Sequence, residues 1–229
     1  MRLPQSLAAK RVAFPTQGAF AAASQPQVEA APTSWRFATL TGRLTELSSP
    51  GGTAALTLAF SMVLDAQQAG EPVGWVTDDE SIFFPPDVAR GGIDLEALVV
   101  VRLSVARQIP RAAEHLARSG AFGLLVLDLG DTVHVPLPMQ MRLRGLAQKH
   151  ESALLFLTRK RRDAGSLGTL VSLRAEARRE PVARPAPAER EVSPTGNSVF
   201  TCTAQVLKDK RGGPGWRYVE VCCGPDGLC

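Results

Sequence analysis

Lysine is scarce in this 229-residue chain: of its 26 basic residues, 21 are arginine and five are lysine (Lys10, Lys149, Lys160, Lys208, Lys210). These five follow Ala, Gln, Arg, Leu and Asp, never glycine, so a Gly-Lys phosphate loop has no place to form. No apolar run approaches the roughly 20 residues of a membrane-spanning helix. The first 20 residues are broken by Pro and polar residues every few positions, which argues against a secretory signal. Cysteine is confined to the last 28 residues (Cys202, Cys222, Cys223, Cys229), with no CxxC and no paired His/Cys spacing. A zinc site is therefore not expected; reduced thiols on C-terminal strands and a cytoplasmic protein are. His115, His134 and His150 are scattered without an HExxH, and the nearest approach to GxSxG, GSLG at 165–168, has the wrong spacing, so a hydrolase has no residues to rest on. The net charge of 26 − 22 = +4 is too mild to demand a nucleic-acid partner. With abundant Ala and Pro, the arginine excess reads as coding bias.

What is present is an ordinary globular balance, 45% hydrophobic and 21% charged, enough for one α/β domain with appendages. Residues 1–34 hold nine Ala and few charges without sustained periodicity and read as a flexible N-terminal arm. From Trp35 onward, residues 35–229, short apolar runs appear at LTEL (44–47), VGWV (73–76), LVVVRL (98–103), LLVLDL (124–129) and ALLFLT (153–158). Between them lie helical spacings: 53–69 is apolar nearly all round, Ile109, Ala112, Ala113 and Leu116 form one stripe, and Met139, Leu143, Leu146 and Ala147 repeat it. Strands alternating with helices predict right-handed βαβ units and a mostly parallel sheet flanked by helices. TLVSLRAEA (169–177), VFTCTAQVL (199–207) and WRYVEVC (216–222) then follow with no helix between them. The turn KDKRGGPG (208–215) makes the last two a C-terminal antiparallel hairpin. Pro181, Pro185, Pro187 and Pro194 mark a Pro/Arg-rich loop over 181–197. Residues 159–190 carry nine basic and four acidic groups, +5, leaving −1 for the rest of the chain.

The order of pieces resembles the core of the RecA recombinase superfamily. GRLTEL, a short Gly-containing loop and a long apolar helix are similar to its opening unit. HLARSGAFGLLVLDL (115–129) resembles its helix, Ala-Arg-Ser-Gly turn and second acidic strand, and GWVTDDES (74–81) stands where the family has a strand ending in acids. ALLFLTRKR (153–161) looks like the strand into the second DNA-binding loop, and TAQVLKDKRGGPGWRYVEVCCGPDG (203–227) like the closing hairpin. The departures are specific. A Walker A loop needs G-x-x-x-x-G-K-[ST], because backbone N–H groups cradle the phosphates, Lys neutralises them and the hydroxyl holds Mg²⁺. Here the loop reads SSPGGTAAL (48–56): with Gly51 and Gly52 at its end, Thr53 stands for the lysine, Ala54 for the magnesium hydroxyl, and Leu47 for the first glycine. Loss of ATP hydrolysis is the expectation, with no ATP or Mg²⁺ cofactor and no other metal, although weak anion binding at the start of the helix stays open. Arg159 stands where the resemblance puts RecA's switch glutamine, and both DNA-binding loops are shorter.

A RecA-like core without a phosphate loop is similar to two families. One is the ImuA type, an SOS-regulated accessory of mutagenic translesion synthesis that acts with RecA, an ImuB-like Y-family protein and an error-prone C-family polymerase. The other is SulA, a division inhibitor that binds FtsZ. The LTEL segment, the Pro-rich insert and the complete hairpin favour the ImuA type, and a divergent ATP-dependent recombinase is the third reading. Four sets of residues are candidates. Asp79 and Glu80, with Asp128, are a relic acidic site or merely capping and solvated acids. Arg159, Lys160, Arg161 and Arg162 contact DNA or a partner, or form a solvated basic turn; no aromatic is interleaved there for base stacking. Phe20 and Ala23, in GAFAAAS, resemble the short motif by which RecA-type subunits add a strand to a neighbour. Gly51–Ala54 are the degenerate nucleotide loop. The resemblance also leaves a homodimer and nucleoid association open.

Overall fold

The computed structural model describes residues 35–223 except Gly52, Ile82, Phe84, Thr132 and 182–198. The arm at 1–34 with Phe20 and Ala23, nearly all of the 181–197 loop, and Cys229 lie outside the described residues. The elements are α1 (Phe37–Leu40), β1 (Arg43–Ser48), α2 (Thr53–Gln68), β2 (Val73–Asp78), α3 (Pro85–Arg90), β3 (Leu98–Leu103), α4 (Ile109–Ser119), β4 (Leu124–Asp128), α5 (Leu137–Lys149), β5 (Ala153–Thr158), β6 (Leu173–Pro181), β7 (Val199–Asp209) and β8 (Arg217–Cys223). They build one eight-stranded sheet of order β3-β2-β4-β5-β1-β6-β7-β8. Strands β1 to β6 run parallel; β7 reverses, and β8, antiparallel to it, returns to the common direction as the second arm of the hairpin the turn chemistry implies.

Four of the apolar runs, β1, β2, β4 and β5, form the middle of the sheet because helices cover them on both sides, and the fifth, β3, is its edge. On one face α2 packs Ala54, Ala55, Leu58, Ala59, Met62 and Val63 against Leu47, Trp75, Val126 and Leu155. On the other, α4 and α5 close over Leu44, Val76, Leu125, Leu127, Leu154 and Phe156. Trp75 is fully buried, its ring 5.1 Å from both Phe60 and Phe83. The helical stripes sit one step from where spacing puts them. In α4 the buried line is Ile109, Ala113 and Ala117, with Ala112 and Leu116 at its margin. In α5 it is Gln140, Leu143 and Ala147, with Met139 and Leu146 at its margin. The two helices are joined by Glu114, which takes Arg118 at 2.6 Å and Arg142 at 3.0 Å. The hydrogen bond from Arg118 holds its carboxyl below the usual range, against burial.

The largest departure from the sequence pattern is at β6. The apolar stretch 169–177 predicts a strand from Thr169, yet the strand opens at Leu173 and runs on through Arg178, Arg179 and Glu180 to Pro181. Two local facts explain it. Ser172 N–H donates to Leu44 O at 2.9 Å, which sets the entry of β6 beside β1. At its far end β7 pairs with it as far as Pro181↔Phe200, so the charged residues are carried by an antiparallel ladder. Residues 169–172 are used instead in the crossover from β5. Cys202 is buried on β7, and Cys222 lies on β8; a hydrogen bond with Cys222 lowers the Cys202 thiol against burial.

One buried ion pair ties the first strand to the hairpin. Arg43 NH2 meets Asp209 Oδ1 at 2.6 Å with the side chains 5% and 1% exposed, and Arg43 Nε donates to Ser172 Oγ at 2.9 Å. Asp209 also accepts the Arg211 N–H at 2.9 Å and the Trp216 Nε1–H at 3.3 Å. Burial alone would raise its carboxyl; the Arg211 amide and the Arg43 guanidinium outweigh it, and the group sits below the ordinary aspartate range. Asp209→Ala leaves Arg43 buried without its counter-ion and should cost about 3–5 kcal/mol in urea unfolding. Asp209 supplies its full stabilisation above the ordinary aspartate pKa of about 4 and loses it as pH falls through the lower folded-state value. The stability gap between wild type and variant should therefore narrow in acid.

Candidate functional site

The residues expected to carry function gather at the C-terminal ends of β1, β2, β4 and β5, where ligands of open α/β sheets sit. β1 ends at Ser48, and Ser49 N–H donates to Thr158 O at 2.9 Å, so the turn into α2 starts against the end of β5. Pro50 and Gly51 are exposed. Thr53 is the exposed first residue of α2, and its carbonyl accepts the Thr57 hydroxyl at 3.1 Å. Ala54 is 3% exposed and belongs to the apolar core under α2. Gly52 lies outside the described residues.

The acidic candidates do not converge. Asp128 Oδ2 accepts the Ser81 hydroxyl at 2.8 Å and the Thr77 hydroxyl at 3.3 Å, which fixes the end of β4 to the end of β2. Asp78 Oδ1 accepts the Glu80 N–H at 3.2 Å, while Asp79 and Glu80 point into solvent. Among the described residues no three His, Cys, Asp or Glu side chains come together in a way that could hold a metal ion.

The residue that organises this end is one the sequence reading passed over. Glu46, in the middle of β1, is 0% exposed. Its Oε1 accepts the Thr158 hydroxyl at 3.2 Å and lies 3.3 Å from Lys160 Nζ. Its Oε2 accepts the Leu167 N–H at 2.7 Å and the Ser166 hydroxyl at 3.0 Å, with Arg174 Nε at 3.9 Å. The topology accounts for the cluster. β5 and β6 flank β1 on opposite sides, so residues 159–172 must cross over β1. They cross on the face that α5 covers, with Leu167 and Val171 in that core and Gln140 Nε2 donating to Leu167 O at 3.4 Å. Glu46 faces this segment and anchors it by the Leu167 amide, the Ser166 hydroxyl and Lys160, and it meets Thr158 and Arg174 on the flanking strands β5 and β6. Arg174 also donates to Arg161 O at 3.0 Å and to Ala164 O. The one acid in β1, between Thr45 and Leu47 of a central parallel strand, was the available signal, since a carboxylate buried there has to be paired.

The basic run therefore divides. Lys160 is bound to Glu46, whereas Arg159, Arg161 and Arg162 are exposed. Arg159 is held only by its backbone, its N–H donating to Gly130 O at 3.2 Å. Arg161 lies 3.5 Å from Asp163. Arg161 and Arg162, with Asp163, Pro50, Glu176 and Arg178, line an open cleft of about 690 Å³. Within it Arg178 and Glu176 are paired at 2.9 Å. The structure thus brings Pro50, at the start of the degenerate loop, and the basic residues Arg161 and Arg162 to one cleft, a juxtaposition not apparent from their separation in sequence.

No family profile matches the chain. Its similarity is to RecA proteins: 28% identity over 144 residues to RecA of Caldanaerobacter subterraneus subsp. tengcongensis, covering 54% of this chain and 42% of that protein. RecA of Chlorobaculum tepidum is 29% identical over 144 residues, 54% of this chain and 41% of its own length. RecA of Nocardioides sp. is 34% identical over 88 residues, 38% of this chain and 25% of that protein. The chain spans less than half the length of these relatives. It is RecA-like in sequence and in its mostly parallel sheet, flanked by helices and closed by an antiparallel hairpin. No helix among the described residues is long and apolar enough to cross a membrane.

Glu46→Gln keeps the side chain's shape and removes its charge. We expect a loss of roughly 3 kcal/mol in denaturant unfolding and faster tryptic cleavage after Arg159–Arg162, read by mass spectrometry.

Proposed function

We propose that this RecA-like protein hydrolyses no nucleotide and acts by binding other proteins of the SOS response and mutagenic translesion synthesis. Its partners in this reading are RecA, an ImuB-like Y-family protein and an error-prone C-family polymerase. One observation carries it: the turn from β1 into α2 offers no lysine, and the lysine at the end of β5, Lys160, is spent on the buried Glu46. A triphosphate entering here would meet the uncompensated carboxylates of Asp79 and Glu80 rather than a cradle. With Ala54 packed into the core, the place of the magnesium hydroxyl is taken by a methyl group.

A core of this kind can enter an interface built for RecA subunits and cannot leave it by a nucleotide cycle, so capping or diverting RecA filaments is the mechanism we favour. Exposed Arg159, Arg161 and Arg162 are the residues on this end best placed to meet an acidic partner surface or a DNA backbone. Isothermal titration with ATP and Mg²⁺ should give no saturable heat at millimolar nucleotide; micromolar affinity would overturn the non-catalytic reading. The partner reading is tested separately. The purified protein should alter RecA-driven strand exchange on single-stranded DNA, and pull-down from DNA-damaged cells should recover RecA or a polymerase component. Recovery of neither, with strand exchange unchanged, would contradict it.

A further inference from the structure

The sheet ends at β8, and among the described residues no strand pairs with it beyond β7. Its side chains alternate strictly. Tyr218, Glu220 and Cys222 turn to the side covered by α2, while Arg217, Val219 and Val221 stand on the open side. Val219 is 50% and Val221 67% exposed, and Val199 on β7 beside them is 42% exposed. Val206 N–H donates to Trp216 O at 2.9 Å. By the alternation of an antiparallel ladder, Tyr218, Glu220 and Cys222 direct their backbone groups to β7, and Arg217, Val219 and Val221 direct theirs outward. Among the described residues, the edge therefore presents unpaired N–H and C=O groups on the residues that also expose valine, with no proline and no lysine in β8 to blunt it.

We infer that β8 is a dimerisation edge, pairing antiparallel with β8 of a second copy of this chain across a two-fold axis at Val219. The argument for a second copy is self-complementarity. A two-fold through Val219 places Val219 opposite the partner's Val219, Arg217 opposite the partner's Val221, and Tyr218 opposite the partner's Glu220. The valines of both copies then form one apolar strip beside Val199, and on the other face the Tyr218 phenol, which donates to Glu220 Oε2 of its own strand at 3.5 Å, comes opposite the second copy's Glu220. Burial, with Glu220 adding to it, pushes the Tyr218 phenol up to about 12, so it remains a donor at any ordinary pH. Moving the axis to Glu220 would set two carboxylates directly opposite, which is unfavourable. The other edge, β3, has no such pattern: its one charge, Arg102, has no acid on the strand to meet, and its guanidinium already donates to Phe83 O at 2.9 Å. A continuous sheet through two copies removes both β8 edges at once, and does so without involving the nucleotide loop or the basic cleft.

Sedimentation or light scattering of the whole protein tests this. Wild type should show a concentration-dependent dimer. Val219→Lys puts two ammonium groups face to face at the axis and should raise the dimer dissociation constant roughly tenfold or more, with the circular dichroism spectrum unchanged. Val221→Glu removes as much apolar surface but places a carboxylate opposite the partner's Arg217, so this variant should remain dimeric, whereas a merely sticky patch would lose association in both. A wild type that stays monomeric to about 100 µM, a binding energy of only some 5–6 kcal/mol at best, would overturn the inference. So would a dimer indifferent to Val219→Lys, or a Val221→Glu variant as monomeric as Val219→Lys.

Discussion

A carboxylate without access to water governs the end of this sheet where β1 and β5 finish and the crossover to β6 begins. Placing an ionised Glu46 between β5 and β6 is tolerable only because a backbone amide, two hydroxyls, Lys160 and Arg174 converge on it. That convergence makes the helix-free crossover from β5 to β6 specific. The segment has little apolar surface of its own beyond Leu167, Leu170 and Val171, too little to select one path across β1 by burial alone. The acid selects it. Arg43 and Asp209 do the corresponding work at the other end of β1, where they hold the reversed strand β7 to the parallel ones. The two buried ion pairs thus bracket β1 and fix the antiparallel extension in register.

The same arrangement bears on function. In a fold that works by nucleotide, cations near the loop after β1 would be free to answer a ligand. Here the charge that positions Lys160 and Arg174 belongs to the protein itself, so the crossover is set before anything binds. The outward-facing Arg159, Arg161 and Arg162 lie on this anchored segment. β8 is independent of this end, being held to the core through β7 and the Tyr218 and Cys222 side chains.

Much of the fold was legible in the sequence. The five apolar runs became β1 to β5: β2, β4 and β5 are buried along nearly their whole length, as central parallel strands require, while LVVVRL became the half-exposed edge strand β3, and the Gly/Pro-rich turn before Trp216 announced the hairpin. What escaped had one physical origin: charge in extended backbone. Arg178, Arg179 and Glu180 look like loop and are strand, because the partner ladder rather than burial holds them. Glu46 looked like an incidental acid in LTEL and is the hub of the site. Lys160 looked like one of four equivalent cations and is the one withdrawn from solvent. The helical stripes were offset because polar Gln140 and Glu114 occupy buried positions: Gln140 Nε2 donates to Val135 O at 2.7 Å, although its Oε1 has no partner among the described residues, and Glu114 pairs with Arg118. Pairing of this kind depends on which strand lies next to which, and that is not written in local pattern.

The most direct measurement is amide hydrogen exchange at Leu167, whose N–H is given to Glu46, with and without ATP and Mg²⁺. If the crossover is fixed from within, this amide is strongly protected in the protein alone and nucleotide leaves its exchange unchanged. An amide that exchanges freely until ATP and Mg²⁺ are added, and is protected only then, would contradict the account.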